Sequence, residues 1–413
     1  MSKKNYWLYI EPHVFLSKNE KELLAYDTLA HKFYKHEIHK DLNPILDELL
    51  NLSNLYSVSL NETEIKSQSI KLLVSFLKTH FIGDCIPNSL LKLKPAILPP
   101  KVNIQFNIDY LVTNKEMSIE SNITNYLNEI TFYINGYCEK NCQHCHEYFK
   151  QVECCYKFDE ELDLFKIKTS IIQSLKHNIA RINIIGGNIY DYTYFNSLIE
   201  FLKSIPTKIM FYNNYLNSAS GIDNKLISQE NFFVTYLITP PFDKVLISNI
   251  IKFCGLKSKV WLSFIITNEE DYNEVLLISN QLTLTNFSIL PFFNKYNYSF
   301  FNDFVFIDEE NIYEYKISKE EIFINQVINS NNFGKLIILQ NEIAHSNINS
   351  PQLGTINDGL NQLVLKELIN KTSWFLVRKN ILPCKFCIYN SYCSPLSNYE
   401  VVLNKYNLCK IIP

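Results

Sequence analysis

Two groups of cysteines constrain this chain more than any other feature. Cys138, Cys142 and Cys145 form a C-x3-C-x2-C run. Cys384, Cys387 and Cys393 form C-x2-C-x5-C, with Cys409 following. Of the eleven cysteines, only Cys85, Cys154, Cys155 and Cys254 fall outside these groups. The apolar stretch Tyr6–Ile10 stops at Glu11-Pro12, too short for a secretory h-region. No run approaches the roughly 18 apolar residues of a membrane span. The expectation is a cytoplasmic protein with no membrane partner, where thiols stay reduced and clustered cysteines hold metal rather than disulfides.

The rest of the composition narrows the partners. The net charge is −3, and Arg181 and Arg378 are the only arginines. Arginine dominates bidentate recognition of phosphates and guanines, so no nucleic-acid partner is expected. The abundance of Asn, Ile, Lys and Tyr reads as the product of AT-rich coding DNA. With 413 residues, 47% of them hydrophobic, the chain can bury two or three domain cores.

Residues 1–95 read as a small α+β module. Trp7–Ile10, Val14–Leu16, Leu23–Tyr26 and Lys32–Tyr34 are strand candidates. Asn43-Pro44 opens a helix, with Asn as N-cap and Pro at N1, and a second helix spans about Ser67 to Thr79. The shape is winged-helix-like. Lys92–Pro100, with three prolines, reads as a linker. From about residue 125 to 295, six strands alternate with helices: Ile130–Ile134, Arg181–Ile185, Lys208–Tyr212, Phe232–Thr239, Val260–Thr267 and Phe287–Phe292. Helices are expected near Glu160–Lys176, Tyr194–Lys203, Asp243–Phe253, Glu270–Gln281 and Gln362–Asn370. This alternation predicts an α/β fold, a parallel sheet or partial barrel, whose ligands sit at the carboxyl ends of the strands. The first cysteine group and the pair Gly186-Gly187 both follow strands directly. Residues 300–413 are less regular, with one strand at Leu336–Leu339 before the cysteine-rich tail.

Three thiolates on a tight loop suit either an iron–sulfur cluster with one open iron or, with His144 or His146 as a fourth ligand, zinc. C-x3-C-x2-C placed just after the first strand of such a domain resembles the signature of radical S-adenosyl-L-methionine (radical SAM) enzymes. The resemblance implies a partial (β/α)6 barrel and a 4Fe-4S cluster held by Cys138, Cys142 and Cys145. It also implies S-adenosyl-L-methionine on the open iron, reductive cleavage, and hydrogen abstraction by a 5′-deoxyadenosyl radical. His144 stands where the family has an aromatic ring. Gly186-Gly187-Asn188 stands where the family has a Gly-Gly-Glu-like turn that holds the amino group of the cofactor, so the negative charge is missing there. Cys154 and Cys155 read as ordinary free or core thiols, and His146 as a surface residue.

The second cysteine group, Cys384, Cys387, Cys393 and Cys409, resembles the outer-cluster half of a SPASM domain. No cysteine lies between Cys254 and Cys384 to complete an inner cluster. The resemblance therefore implies one auxiliary 4Fe-4S cluster, with zinc on the same four thiolates as the alternative. The N-terminal module is similar to the elements that capture a precursor-peptide leader by strand addition at a sheet edge. Its opening Tyr6–Pro12 looks like proteins of Bacteroidetes Gly-Gly-leader peptide systems, some of which are pseudo-radical-SAM relatives that have lost the catalytic cysteines. The implied function is a peptide maturase acting on a ribosomally made precursor peptide with a leader, served by an electron donor of flavodoxin or ferredoxin type. The alternatives are a degenerate member that binds peptide or partner without turnover, and a zinc-binding interaction protein.

Overall fold

In the computed structural model, residues 5–100, 124–140, 142–176, 179–218, 220–254 and 259–411 are described. The first hundred residues build two three-stranded antiparallel sheets. The strands are β1 (Asn5–Ile10), β2 (Val14–Lys18), β3 (Glu22–Asp27), β4 (Lys32–Glu37), β5 (Ser57–Asn61) and β6 (Gly83–Pro87). The sheet orders are β5-β1-β6 and β2-β3-β4. Neither β5 nor β6 was expected from sequence. Both are short and carry few apolar residues, and both exist by pairing with β1, where Leu8 meets Val58 on one side and Cys85 on the other.

The helices Asn43–Leu50 and Gln68–Thr79 close this core with Leu46, Leu49, Ile70, Leu73 and Leu77. The expected cap at Asn43 is corrected by one residue. Leu42 is the N-cap, because a 3-10 turn over Lys40–Leu42 runs straight into the helix. Asn43 instead accepts a hydrogen bond from Lys18 Nζ at 2.9 Å. The same core takes in Ile317, Ile322, Phe323, Tyr392 and Cys393, so the N-terminal module rests on the cysteine-rich tail.

The six expected core strands all form: β7 (Glu129–Asn135), β8 (Arg181–Gly186), β9 (Lys208–Asn214), β10 (Phe232–Ile238), β11 (Val260–Ile266) and β12 (Phe287–Pro291). They are parallel neighbours in chain order. The sheet does not stop at six. β13 (Lys335–Ile338) adds parallel to β7, followed by antiparallel β14 (Ile343–His345) and β15 (Gly354–Thr355).

One face of the sheet is covered by helices. Phe132, Ile184, Phe211, Val234 and Phe264 pack there against Ile167, Ile171, Leu198 and Leu202. The helix expected from about Glu160 begins at Leu164, because the Asp163 side chain accepts the Lys166 N–H at 3.0 Å and caps it. The alternate residues point to the other face, which lines a cavity of about 700 Å³ with Tyr133, Met210, Tyr212, Trp261, Ser263 and Ser288. At the amino ends of the strands, buried Glu129 accepts from Arg181 Nη2 and Asn183 Nδ2, both at 2.5 Å, and Lys335 Nζ lies 3.8 Å away. No helix among the described residues is long and apolar enough to cross a membrane.

Candidate functional site

The first cysteine group sits on the loop beyond the carboxyl end of β7, against the carboxyl ends of β8, β9 and β10. Asn135, the last residue of β7, ties this end together. Its Nδ2 donates to the Asn188 carbonyl at 2.8 Å, and its Oδ1 accepts the Gly187 N–H at 3.1 Å. The Asn188 N–H in turn bonds the Tyr137 carbonyl at 2.6 Å. The two loops approach so closely that a Cβ on Gly187 would collide with the Tyr137 carbonyl oxygen. Glycine is required at 187 by this approach.

Two of the three thiols meet amide donors from β9 and the turn after it. Asn214 Nδ2 lies 3.3 Å from Cys142 Sγ. Asn217 Nδ2 lies 3.8 Å from Cys138 Sγ and donates to the Gly187 carbonyl at 3.1 Å. Burial pushes the Cys142 thiol above its ordinary value, against the pull of hydrogen bonds from Thr239 and Asn214. Cys145 is buried and opens the short helix Cys145–Tyr148, after His144 in the left-handed conformation (φ 60°). The His144 ring packs 5.6 Å from that of Phe292 and 6.3 Å from that of Tyr148. His146 is exposed.

Cys154 and Cys155, read from sequence as ordinary thiols, are buried beside Cys145 in one small core with Tyr148, Leu237, Ile265 and Phe292. A hydrogen bond to Cys155, then burial, holds the Cys145 thiol well above its ordinary range. The Cys154 and Cys155 sulfurs are 3.6 Å apart. Asn188 is half-buried and committed to its own turn: Oδ1 accepts the Tyr190 N–H at 3.4 Å and Nδ2 donates to Asp191 Oδ2 at 2.7 Å. Asp191 thus places a carboxylate at the turn, three residues after Asn188.

Cys384, Cys387, Cys393 and Cys409 all line one cavity of about 260 Å³. A site for one water needs roughly 10–15 Å³, so there is room for a group of several atoms. Arg378 and Glu400 line the same cavity. Burial pushes up the thiols of Cys384 and Cys387, and that of Cys393 to about 12. Cys384 donates to the Tyr406 carbonyl at 2.9 Å.

Among the described residues, no three His, Cys, Asp or Glu side chains converge as ligands of a single metal ion. Ligand sulfurs on one zinc stand roughly 3.8 Å apart, from tetrahedral geometry at about 2.3 Å per bond. In a four-iron cluster each thiolate takes its own iron and the sulfurs stand further apart. Both donor sets suit such a cluster by their chemistry: soft sulfurs, with side-chain N–H groups directed at Cys138, Cys142 and Cys384. Asn214, Asn217, Thr239 and Glu400 were not singled out from sequence, and Arg378 was noted there only as one of two arginines. Only the Cys154-Cys155 doublet, close behind Cys145, carried a visible signal.

No protein-family model matches the chain, and no curated protein matches it. Solved structures do resemble it. Streptococcus suis SuiB bound to S-adenosylmethionine aligns over 98% of this chain and 100% of its own, with 11% identity and a TM-score of 0.50. SuiB bound to its precursor peptide SuiA aligns over the same shares at 10% identity and a TM-score of 0.47. Coproporphyrinogen III oxidase (HemN) from Escherichia coli, a radical SAM enzyme, covers 43% of this chain and 48% of its own at 10% identity and a TM-score of 0.31. At such identities the likeness to the first of these is one of fold.

Proposed function

We propose that this chain is a radical SAM enzyme that modifies a ribosomally synthesised precursor peptide. The carrying observation is the meeting of Cys142 with Asn214, and of Cys138 and Gly187 with Asn217, at the carboxyl ends of a parallel sheet, with Cys145 three residues beyond Cys142 on the same loop. That is where α/β sheets bind ligands. The fold shared with SuiB agrees with it.

In this reading Cys138, Cys142 and Cys145 would hold a 4Fe-4S cluster, with the Asn214 and Asn217 amides directed at the Cys142 and Cys138 thiolates. When bound, the cluster supplies the electron for reductive cleavage of S-adenosyl-L-methionine. The Gly186-Gly187-Asn188 turn presents main-chain groups to the methionine moiety, and the Asp191 carboxylate supplies the charge that attracts its ammonium. The cavity bearing Tyr133, Tyr212 and Trp261 takes the peptide segment that reacts. Cys384, Cys387, Cys393 and Cys409 hold one auxiliary cluster. The sheets of the N-terminal module offer edge strands for a leader.

Anaerobic reconstitution tests this reading. Iron-loaded protein with S-adenosyl-L-methionine and a flavodoxin-type reductant should release 5′-deoxyadenosine, and Cys142→Ala should not. Asn188 favours a second reading, a degenerate peptide-binding member, because its side chain is already engaged within the turn. Iron-loaded protein that binds the nucleoside weakly and never cleaves it would decide for that reading.

A further inference from the structure

Both arginines of this chain pair with buried carboxylates, and one of them reaches a thiol. Arg378 is fixed on every side. Its Nε donates to the Ser394 carbonyl at 2.7 Å, and its Nη1 to the Tyr406 carbonyl at 3.0 Å. Nη1 and Nη2 grip the Glu400 carboxylate at 2.9 and 3.0 Å. Nη1 also lies 3.8 Å from Cys384 Sγ. Its side chain keeps 12% of its surface exposed, and that of Glu400 3%.

Glu400 is held independently of the arginine. Its Oε2 accepts from the Ser397 N–H and hydroxyl at 3.0 and 2.8 Å, within the capping box of the helix Asn398–Leu403. A guanidinium and a carboxylate thus stand in fixed positions on the wall of the four-thiol cavity. A buried pair is a weak route to stability, because desolvation offsets most of its attraction. Its fixed charges act strongly on any change of charge inside the cavity, where water screens little.

We propose that Arg378 and Glu400 are positioning residues that set the reduction potential of the cluster held by Cys384, Cys387, Cys393 and Cys409. This rests on the reading of those cysteines as cluster ligands. Reduction adds one negative charge to the cluster. Arg378 favours that charge, by its positive field and by its N–H directed at Cys384, and Glu400 opposes it. The two residues therefore act with opposite sign, although they form one ion pair.

The test uses the full chain with Cys138, Cys142 and Cys145 all changed to Ala, reconstituted anaerobically, so that only the C-terminal group can hold iron. A redox titration followed by electron paramagnetic resonance reads the midpoint. Arg378→Gln should shift it to more negative values and Glu400→Gln to more positive values, with iron content retained. A merely structural role would cost both variants iron without moving the two midpoints in opposite directions, and that result overturns the inference. Shifts of the same sign, or no shift in either variant, overturn the inference. Should Arg378→Gln fail to fold, Glu400→Gln decides alone: a positive shift supports the proposal and any other result overturns it. A parent protein that takes up zinc or no iron overturns the cluster reading itself, before either variant is measured.

Discussion

The side-chain amide of Asn214 lies 3.3 Å from Cys142 Sγ, while its Oδ1 accepts the Leu216 N–H at 2.9 Å. One residue thus closes the turn after β9 and donates to the cysteine loop after β7. Asn214→Asp keeps the acceptor for Leu216 and removes the donor to Cys142. A hydrogen bond to a charged group is worth about 1.5–3 kcal/mol. The variant should release iron from the first group at least about tenfold faster to a ferrous chelator, a factor that corresponds to about 1.4 kcal/mol. Release at the parent rate would show that the amide does not support the cluster.

Gly187→Ala should separate the two loops. The added methyl meets the Tyr137 carbonyl, which also accepts the Asn188 N–H at 2.6 Å. Overpacking of this kind costs about 1–3 kcal/mol, and the displacement falls on the loop carrying Cys138. Binding of S-adenosyl-L-methionine, followed by calorimetry on the iron-loaded protein, should be lost while the far-ultraviolet circular dichroism stays that of the parent.

Asp191 is exposed and bonded to Asn188 at 2.7 Å. Asp191→Asn keeps the size of the side chain and removes its charge. If this carboxylate attracts the methionine ammonium, the Kd for S-adenosyl-L-methionine should rise about tenfold, a loss of about 1.4 kcal/mol, with no change in thermal stability. An unchanged Kd would leave recognition to the main chain of the turn.

The metal-free protein should lose stability in alkali, in part through Cys393. Burial pushes its thiol up to about 12 from an ordinary value of 9.0. Between those values the folded chain binds the proton and the unfolded chain releases it. Stability therefore falls as pH rises through that window and is unaffected by this group below it. The urea midpoint should drop between about pH 9 and about pH 11, and Cys393→Ala should drop less steeply.

Glu129 joins three strands at the amino ends of the sheet, through Arg181 and Asn183 on β8 and Lys335 on β13. Glu129→Ala leaves Arg181 half-buried without its carboxylate. Breaking such a pair from one side costs about 3 kcal/mol. Urea unfolding should report a loss of that order, with no effect on iron uptake by either cysteine group.

The six parallel strands and the helices between them were legible because each is a local pattern. A run rich in β-branched residues, such as Ile182–Ile185 with only Asn183 polar, forms a strand in almost any setting that buries it. The two cysteine triplets were legible because ligands on one loop must be close in sequence. β13 was legible as a strand, but nothing within Lys335–Ile338 says that it pairs with β7, some 200 residues earlier. β5 and β6 were invisible for the complementary reason, since their own residues bury little and β1 supplies the pairing.

The sequence by itself determined the chemistry available: seven clustered sulfurs, a glycine pair after a strand, and a scaffold that puts loops at one edge of a sheet. Tertiary structure alone decided what surrounds those sulfurs. Asn214 and Asn217 reach them from another strand, Cys155 packs on Cys145, and Arg378 is pinned by Glu400 against Cys384. Hydrogen bonds and ion pairs between distant segments leave no periodicity or spacing in the chain, because their geometry exists only once the backbone has brought those segments together.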